Sequence, residues 1–217
     1  VRLFTHFSLI YVFETKVRGY MGKNNRFGQA EILGDLECDR IFKNLKHRQH
    51  KLFFAIARYS GERFGAITQL KVSDVYDENM QPLAEITFPA NIRKASPDGS
   101  RQTRQVMVFD RFTEALEAYR PKHNDVWLFP SSIKEGRAIT WSAADKWLRA
   151  AVDRAGLAHR GISGHSMRRS FITKLYENGM DIHKIQQITG HKSITVLQKY
   201  IGNNPAKLRE SLRNIFA

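Results

Sequence analysis

The chain has 217 residues, 42% of them apolar and 26% charged, and its 35 Lys and Arg against 21 Asp and Glu give a formal net charge of +14. This composition excludes a collagen, a mucin-like stalk or a disordered chain, and the lone Cys38 excludes an internal disulfide framework or a cysteine-built zinc or iron–sulfur centre. So large a positive excess is more than solubility asks of a chain this size and points to a polyanionic partner, nucleic acid before an anionic membrane.

Residues 1–20 combine an apolar, aromatic run with a basic, polar continuation, and no small-residue cleavage site follows the run. Residues 1–30 therefore read as a tail or linker. No segment is apolar for long enough to span a membrane as a helix, and the expectation is a cytoplasmic, DNA-associated protein. From Glu31 the period turns helical, with Ile32, Leu36, Ile41, Phe42 and Leu45 expected near one face and acids early, bases late, as the helix dipole prefers. The run 46–51 (KHRQHK) is positive without an acid, a second apolar helix covers 52–61, and a short third ends near Leu70.

The middle of the chain alternates. Segments 83–89 and 104–109 read as the strands of an antiparallel hairpin, whose long tip, with Pro97, Asp98 and Gly99, carries Arg93, Lys94, Arg101 and Arg104. Helices are predicted over 111–122, over 138–156 with Trp141 and Trp147 as packing residues, and within HRGISGHSMRRSFITKLYENG, closed by Gly179. Asp181 caps a further helix with Ile182, Ile185 and Ile188 on one side. A turn from Ser193 through Tyr200 follows, and Asn204-Pro205 starts a last helix with the stripe Leu208, Leu212 and Ile215. The expected fold class is mainly α with one small antiparallel β-sheet.

Three strings carry chemistry: SGERFGAITQLKVSDV with Arg63 at a helix start, HSMRRSF with His165 and Arg168 at i,i+3, and ITGHKSITVLQKY with His191 and Tyr200 nine residues apart. Singly, each has a plain structural explanation. Together with Lys94 in RKASPDG, and in this order, they resemble the tyrosine recombinase, or phage integrase, family over roughly residues 30–202. The resemblance implies that Arg63 and Arg168 clamp a phosphate, that His165 and His191 support it, that Lys94 is the hairpin lysine and that Tyr200 is the nucleophile. One position departs from the pattern: the family usually has an acid three residues after the first arginine, and here Ala66 stands there, leaving Arg63 to be oriented by Glu62 or by backbone carbonyls.

These residue types suit phosphoryl chemistry. A phosphodiester gains negative charge on its non-bridging oxygens as it is attacked, and guanidinium forks meet that charge with paired hydrogen bonds. A phenol is mostly neutral at pH 7 and needs a base or a positive setting to attack, so His165 is the candidate to assist proton removal from Tyr200. Lys94 would protonate the departing 5′ oxygen and His191 would donate to a non-bridging oxygen. The resemblance implies a 3′-phosphotyrosyl intermediate, with no ATP, no cofactor and no metal.

The expected organisation is a tail or linker over 1–30, a catalytic domain over 31–202 and a terminal helix over 203–217 that docks on a neighbouring subunit. The expected partners are double-stranded DNA and further copies of the chain, as a tetramer in a synaptic complex, in recombination or integration of a mobile element. The family's separate N-terminal DNA-grasping domain is more than residues 1–30 can supply. The other readings are a non-catalytic DNA-binding protein of the same fold and a type IB topoisomerase-like enzyme.

Overall fold

The computed structural model describes residues 30–96, 98–198, 200 and 213. The apolar opening segment and, Arg213 apart, the expected helix over 203–217 with its Leu208, Leu212 and Ile215 stripe lie outside them. In chain order the elements are α1 (Asp35–Lys43), α2 (Arg48–Ser60), α3 (Phe64–Ile67), β1 (Glu85–Phe88), β2 (Arg104–Met107), α4 (Asp110–Ala118), α5 (Trp141–Arg154), α6 (Gly164–Glu177), α7 (Ile182–Thr189) and α8 (Ile194–Gln198). The mainly helical class with a single small sheet is what the sequence predicts.

Helix α2 is the axis of the packing. It is buried from Leu52 to Ala57 and contacts α3, α4, α5 and α6. An apolar face this broad can only sit inside a ring of partners. Phe53 meets the rings of Phe64, Phe129 and Trp147 edge-on at 4.8, 5.1 and 5.9 Å, the geometry aromatic quadrupoles prefer. A smaller second cluster, Ile172, Ile185 and Leu197, joins α6, α7 and α8.

The hairpin pairs antiparallel in the register Ile86 to Val106 and Phe88 to Arg104, with those four side chains turned inward and Met107 outward. Residues 30–33 are tied to α6: Ser170 Oγ accepts the Leu33 amide proton at 2.7 Å, and Arg169 donates to the Ala30 carbonyl at 2.8 Å.

Four expectations change. Leu36 is 85% exposed, because the phase of α1 is set by Cys38, Ile41 and Leu45, and Leu36 lies on the opposite side of that stripe. Helix α2 begins at Arg48, so the basic run is its first turn: Arg48 donates to the Ala118 carbonyl at 2.6 Å, Lys51 lies over Phe42 and Tyr119, and His50 stacks on Trp147. Trp141 is 53% exposed at the first position of α5, where its side chain lies beyond the packed turns, while Trp147 does pack on the core. Ile188 is exposed, because Ile185 and Thr189 define the buried side of α7.

Helix α2 ends at Gly61, which adopts φ +59° and donates to the Ala57 carbonyl, and a Cβ there would run into the Phe171 ring. Gly61→Ala therefore combines left-handed strain with a clash and should cost on the order of 2 kcal/mol. The urea midpoint of the variant, compared with that of the parent chain, measures it.

Candidate active site

The turn after Gly61 places three consecutive groups. Glu62 is 1% exposed, Arg63 caps α3 from half-buried extended backbone, and Phe64 enters the core. Opposite them, the N-terminus of α6 approaches closely because residue 164 is glycine: a Cβ there would stand 2.9 Å from the Phe64 ring. That approach brings Arg168, one turn into α6, under the Gly61 carbonyl, which accepts from its Nη1 at 2.9 Å.

Arg168 is 2% exposed. Its Nη2 faces the Thr189 carbonyl at 3.3 Å and His191 Nε2 at 2.9 Å. A guanidinium only donates, so Nε2 is the accepting nitrogen and the ring proton sits on Nδ1. Nδ1 then donates to Thr189 Oγ1 at 2.6 Å, and that hydroxyl donates to the Ile185 carbonyl at 2.6 Å. This chain of bonds fixes both the tautomer and the plane of His191. Burial, then Arg168, Arg63 and Arg104, push the His191 pKa down to about 3. Burial also lowers Arg168 to about 10, with Glu62 opposing and Arg63 and Arg104 assisting.

Tyr200 lies on the same side. Its ring centroid is 5.8 Å from that of His191, its amide donates to Leu197, and its carbonyl accepts from Thr173 Oγ1 at 3.2 Å. The ring also packs on the Ile172, Ile185 and Leu197 cluster. The structure thus brings Arg63, Arg168, His191 and Tyr200 to one place. Lys94 and His165 are exposed, Lys94 on the hairpin loop and His165 in the first turn of α6. The i,i+3 spacing of His165 and Arg168 holds, yet one side chain faces outward and the other is buried, since the helix enters the core between them.

The sequence misses the centre of this arrangement. Glu62 Oε2 accepts from Arg93 Nε at 3.2 Å and from Arg104 Nη1 at 2.9 Å, while Oε1 accepts the Arg63 amide proton at 2.9 Å and lies 3.8 Å from Arg168 Nη1. Burial alone would raise its pKa, but Arg104, Arg168 and Arg93 hold it down at about 2. Arg93 and Arg104 are therefore not free cations of a basic tip: a buried carboxylate needs buried counter-charges, and they supply them. The signal was the acid beside Arg63, combined with two hairpin arginines at the ends of the loop. Among the groups acting on one another here, four arginines (63, 93, 104 and 168) face the single carboxylate of Glu62. Arg168 Nε is buried with no acceptor among the described residues. A cluster with this surplus of donors and positive charge can hold an anion and stabilise charge developing on it. Among the described residues no group of three or more His, Cys, Asp or Glu could hold a metal ion, and no helix is long and apolar enough to cross a membrane.

Comparison with known proteins identifies the family and the fold. The model of the phage integrase family matches residues 32–207. Tyrosine recombinase XerD of Corynebacterium glutamicum is 31% identical over 155 residues, covering 71% of this chain and 48% of its own. The XerA recombinase structure superposes with a TM-score of 0.66 at 26% identity, over 84% of this chain and 64% of that one. A XerH recombinase bound to palindromic difH substrate in a post-cleavage complex superposes with a TM-score of 0.64 at 22% identity, over 84% of this chain and 52% of its own. The chain spans about half the length of the curated relatives it matches.

The depressed pKa of His191 has a signed consequence. The unfolded ring, near 6.5, takes a proton before the folded ring does, so acidification removes stability from about 6.5 down to about 3. Glu62 acts in the same direction: its contribution is complete above its ordinary 4.5 and is lost as pH falls through about 2. In ¹³C-histidine spectra the His191 ring should not titrate between roughly pH 8 and 5. His191→Asn should weaken the fall of the urea midpoint across the upper acid window, leaving the part due to His50, itself lowered to about 4.

Proposed function

Because the chain belongs to the phage integrase family, we propose that it cleaves and rejoins double-stranded DNA at specific sites through a 3′-phosphotyrosyl intermediate on Tyr200. The observation that carries this reading is the convergence of Tyr200, His191 and Arg168, with Arg63 within electrostatic reach, in a cluster whose arginines outnumber its carboxylate. The fold shared with the XerH complex supports duplex DNA as the partner.

In the proposed reaction the scissile phosphate takes the place of the internal acceptors of the arginines. Arg63 and Arg168 bind its non-bridging oxygens, and the Tyr200 oxygen attacks phosphorus as its proton leaves, with His165 assisting. The bond from phosphorus to the 5′ oxygen breaks, and Lys94 protonates that oxygen. Burial and the arginines keep His191 neutral, and an entering phosphate offsets the arginines' share. Nε2, released by Arg168, then takes a proton from solvent and donates it in a hydrogen bond to a non-bridging oxygen. One phosphodiester replaces another, and attack by a second strand's 5′-hydroxyl regenerates Tyr200 without ATP.

We take residues 31–202 as the catalytic unit and residues 203–217 as the element that joins copies of the chain into a synaptic tetramer on DNA in the cytoplasm, during recombination or integration of a mobile element. A cavity of about 650 Å³, lined by the apolar Leu33, Tyr59, Met167, Phe171 and Met180 together with charged side chains such as Asp35, Arg58 and Lys174, supports a docking role for an amphipathic helix.

Tyr200→Phe removes one oxygen and little apolar area, so folding and DNA affinity should hardly change. A library of nicked duplexes with randomised cores, incubated with the protein and resolved under denaturing conditions, should give a covalent adduct with the parent chain and none with Y200F. The adduct's tryptic phosphopeptide should contain Tyr200. An adduct on another tyrosine would reassign the nucleophile, and no adduct on any duplex would favour the binding-only reading. Removing residues 205–217 should leave a folded, DNA-binding monomer that forms fewer higher complexes on captured DNA, as read by light scattering. Unchanged assembly would exclude the docking role.

A further inference from the structure

The loop between β1 and β2 covers residues 89–103, long enough to be poorly ordered if nothing held it. It is held from below. Arg93, at the end of a 3₁₀ turn over Ala90–Ile92, sends Nε to Glu62 Oε2 at 3.2 Å and Nη1 across the loop to the Gln102 carbonyl at 2.7 Å. Arg104, where the second limb becomes β2, sends Nη1 to the same Oε2 at 2.9 Å, Nη2 to the Ser60 carbonyl at 2.6 Å and Nε to the Ile188 carbonyl at 2.6 Å. Both limbs therefore end on one buried carboxylate oxygen. The Arg93 guanidinium also lies against Gly190, where an added Cβ would stand 3.0 Å from Nη2, so the loop base abuts the segment leading to His191. At the tip, Lys192 pairs with Asp98 at 2.5 Å. Lys94, the residue after Arg93, is exposed.

We propose that Glu62 is a positioning residue that, by anchoring Arg93 and Arg104, fixes the base of the hairpin loop and thereby the place from which Lys94 reaches the leaving oxygen. This rests on the strand-transfer reading above and on the acid role given there to Lys94. The carboxylate accepts three hydrogen bonds, from Arg93, from Arg104 and from the Arg63 amide. An amide of the same shape has one oxygen and an NH₂ group, so it must turn a donor toward either the two guanidiniums or the Arg63 N–H. Either way the negative charge that holds the two guanidiniums together is gone, and Arg93, whose bond of 3.2 Å is longer than the 2.9 Å bond of Arg104, is the one to loosen, so its neighbour Lys94 loses its place. A general acid works only within about 2.6–3.2 Å of its target, and a misplacement of about 1 Å costs roughly 100-fold. Ala66, standing where the family usually has an acid, leaves Glu62 as the carboxylate beside Arg63.

The test uses the full chain and a nicked duplex captured by the parent protein, made with either an ordinary phosphate or a 5′-bridging phosphorothiolate. The sulfur leaving group needs little protonation and so bypasses Lys94. Glu62→Gln should still bind the duplex, since a negative charge is removed and not added, and form adduct at saturating DNA on the order of 10–100-fold more slowly. Most of that loss should disappear on the phosphorothiolate, as it should for Lys94→Ala. Arg93→Met keeps the Glu62–Arg104 pair and severs only the loop anchor, so it should behave alike and carries the test if E62Q does not fold. Parent-like rates for R93M on the ordinary phosphate would overturn the inference. So would variants that stay slow on sulfur while K94A recovers, because their defect would then not run through Lys94. If K94A itself fails to recover, the acid role of Lys94 falls, and this inference falls with it.

Discussion

The interaction on which the site depends is the burial of the Glu62 carboxylate among three arginines drawn from the hairpin and from α6. An isolated carboxylate at 1% exposure would be neutral or would unfold the region, so its ionised state is possible only because Arg93, Arg104 and Arg168 arrive from the hairpin and from α6. The dependence is mutual. Arg104 and Arg168 are themselves almost wholly buried, and without the carboxylate they would repel one another at close range. Removing one member of such a network costs about 3–5 kcal/mol, far more than an exposed pair, because an uncompensated charge is left inside.

That network joins elements distant in sequence and presents their ends to one pocket. Glu62 follows the last turn of α2, Arg104 reaches the end of α7 through the Ile188 carbonyl, and Arg168 holds His191 just beyond it. The Thr189 hydroxyl then fixes the imidazole, so the positions of Arg168 and His191 are over-determined. Tyr200 is different. Its ring rests on a small satellite cluster and its backbone on one turn of bonds, a lighter attachment than that of Arg168 and His191.

The high net charge divides into two populations with different physics. Some cations serve the fold: Arg48 and Lys51 lie over Tyr119, Arg154 donates to the Asn44 carbonyl, and Arg160 pairs with Glu31 and Glu37. Others converge on the pocket in excess of local acids. Net charge alone therefore says that a polyanion is favoured without saying where it sits. The position follows from which guanidiniums remain unmatched once the internal carbonyls and carboxylates have taken their share.

The class of fold, the hairpin, the glycine-ended α2 and the aspartate-capped α7 were legible in the sequence, because periodicity, caps and turn residues act over a few positions. Four short strings in a characteristic order name Arg63, Lys94, His165, Arg168, His191 and Tyr200 as a candidate set, of which the structure brings Arg63, Arg168, His191 and Tyr200 together and leaves Lys94 and His165 exposed. Where the phase of a helix is set by partners elsewhere in the chain, local pattern misled: Leu36, Trp141 and Ile188 are apolar and at plausible spacing, yet α5, α6 and the core chose the other side. Glu62 was visible as one candidate to orient Arg63, and not as the carboxylate that Arg93, Arg104 and Arg168 surround. Its partners lie 31, 42 and 106 positions away, separations over which sequence carries no distance. Which arginines are buried counter-ions and which are open to a phosphate is decided by tertiary packing, because desolvation depends on everything that closes over a charge and not on the residues beside it.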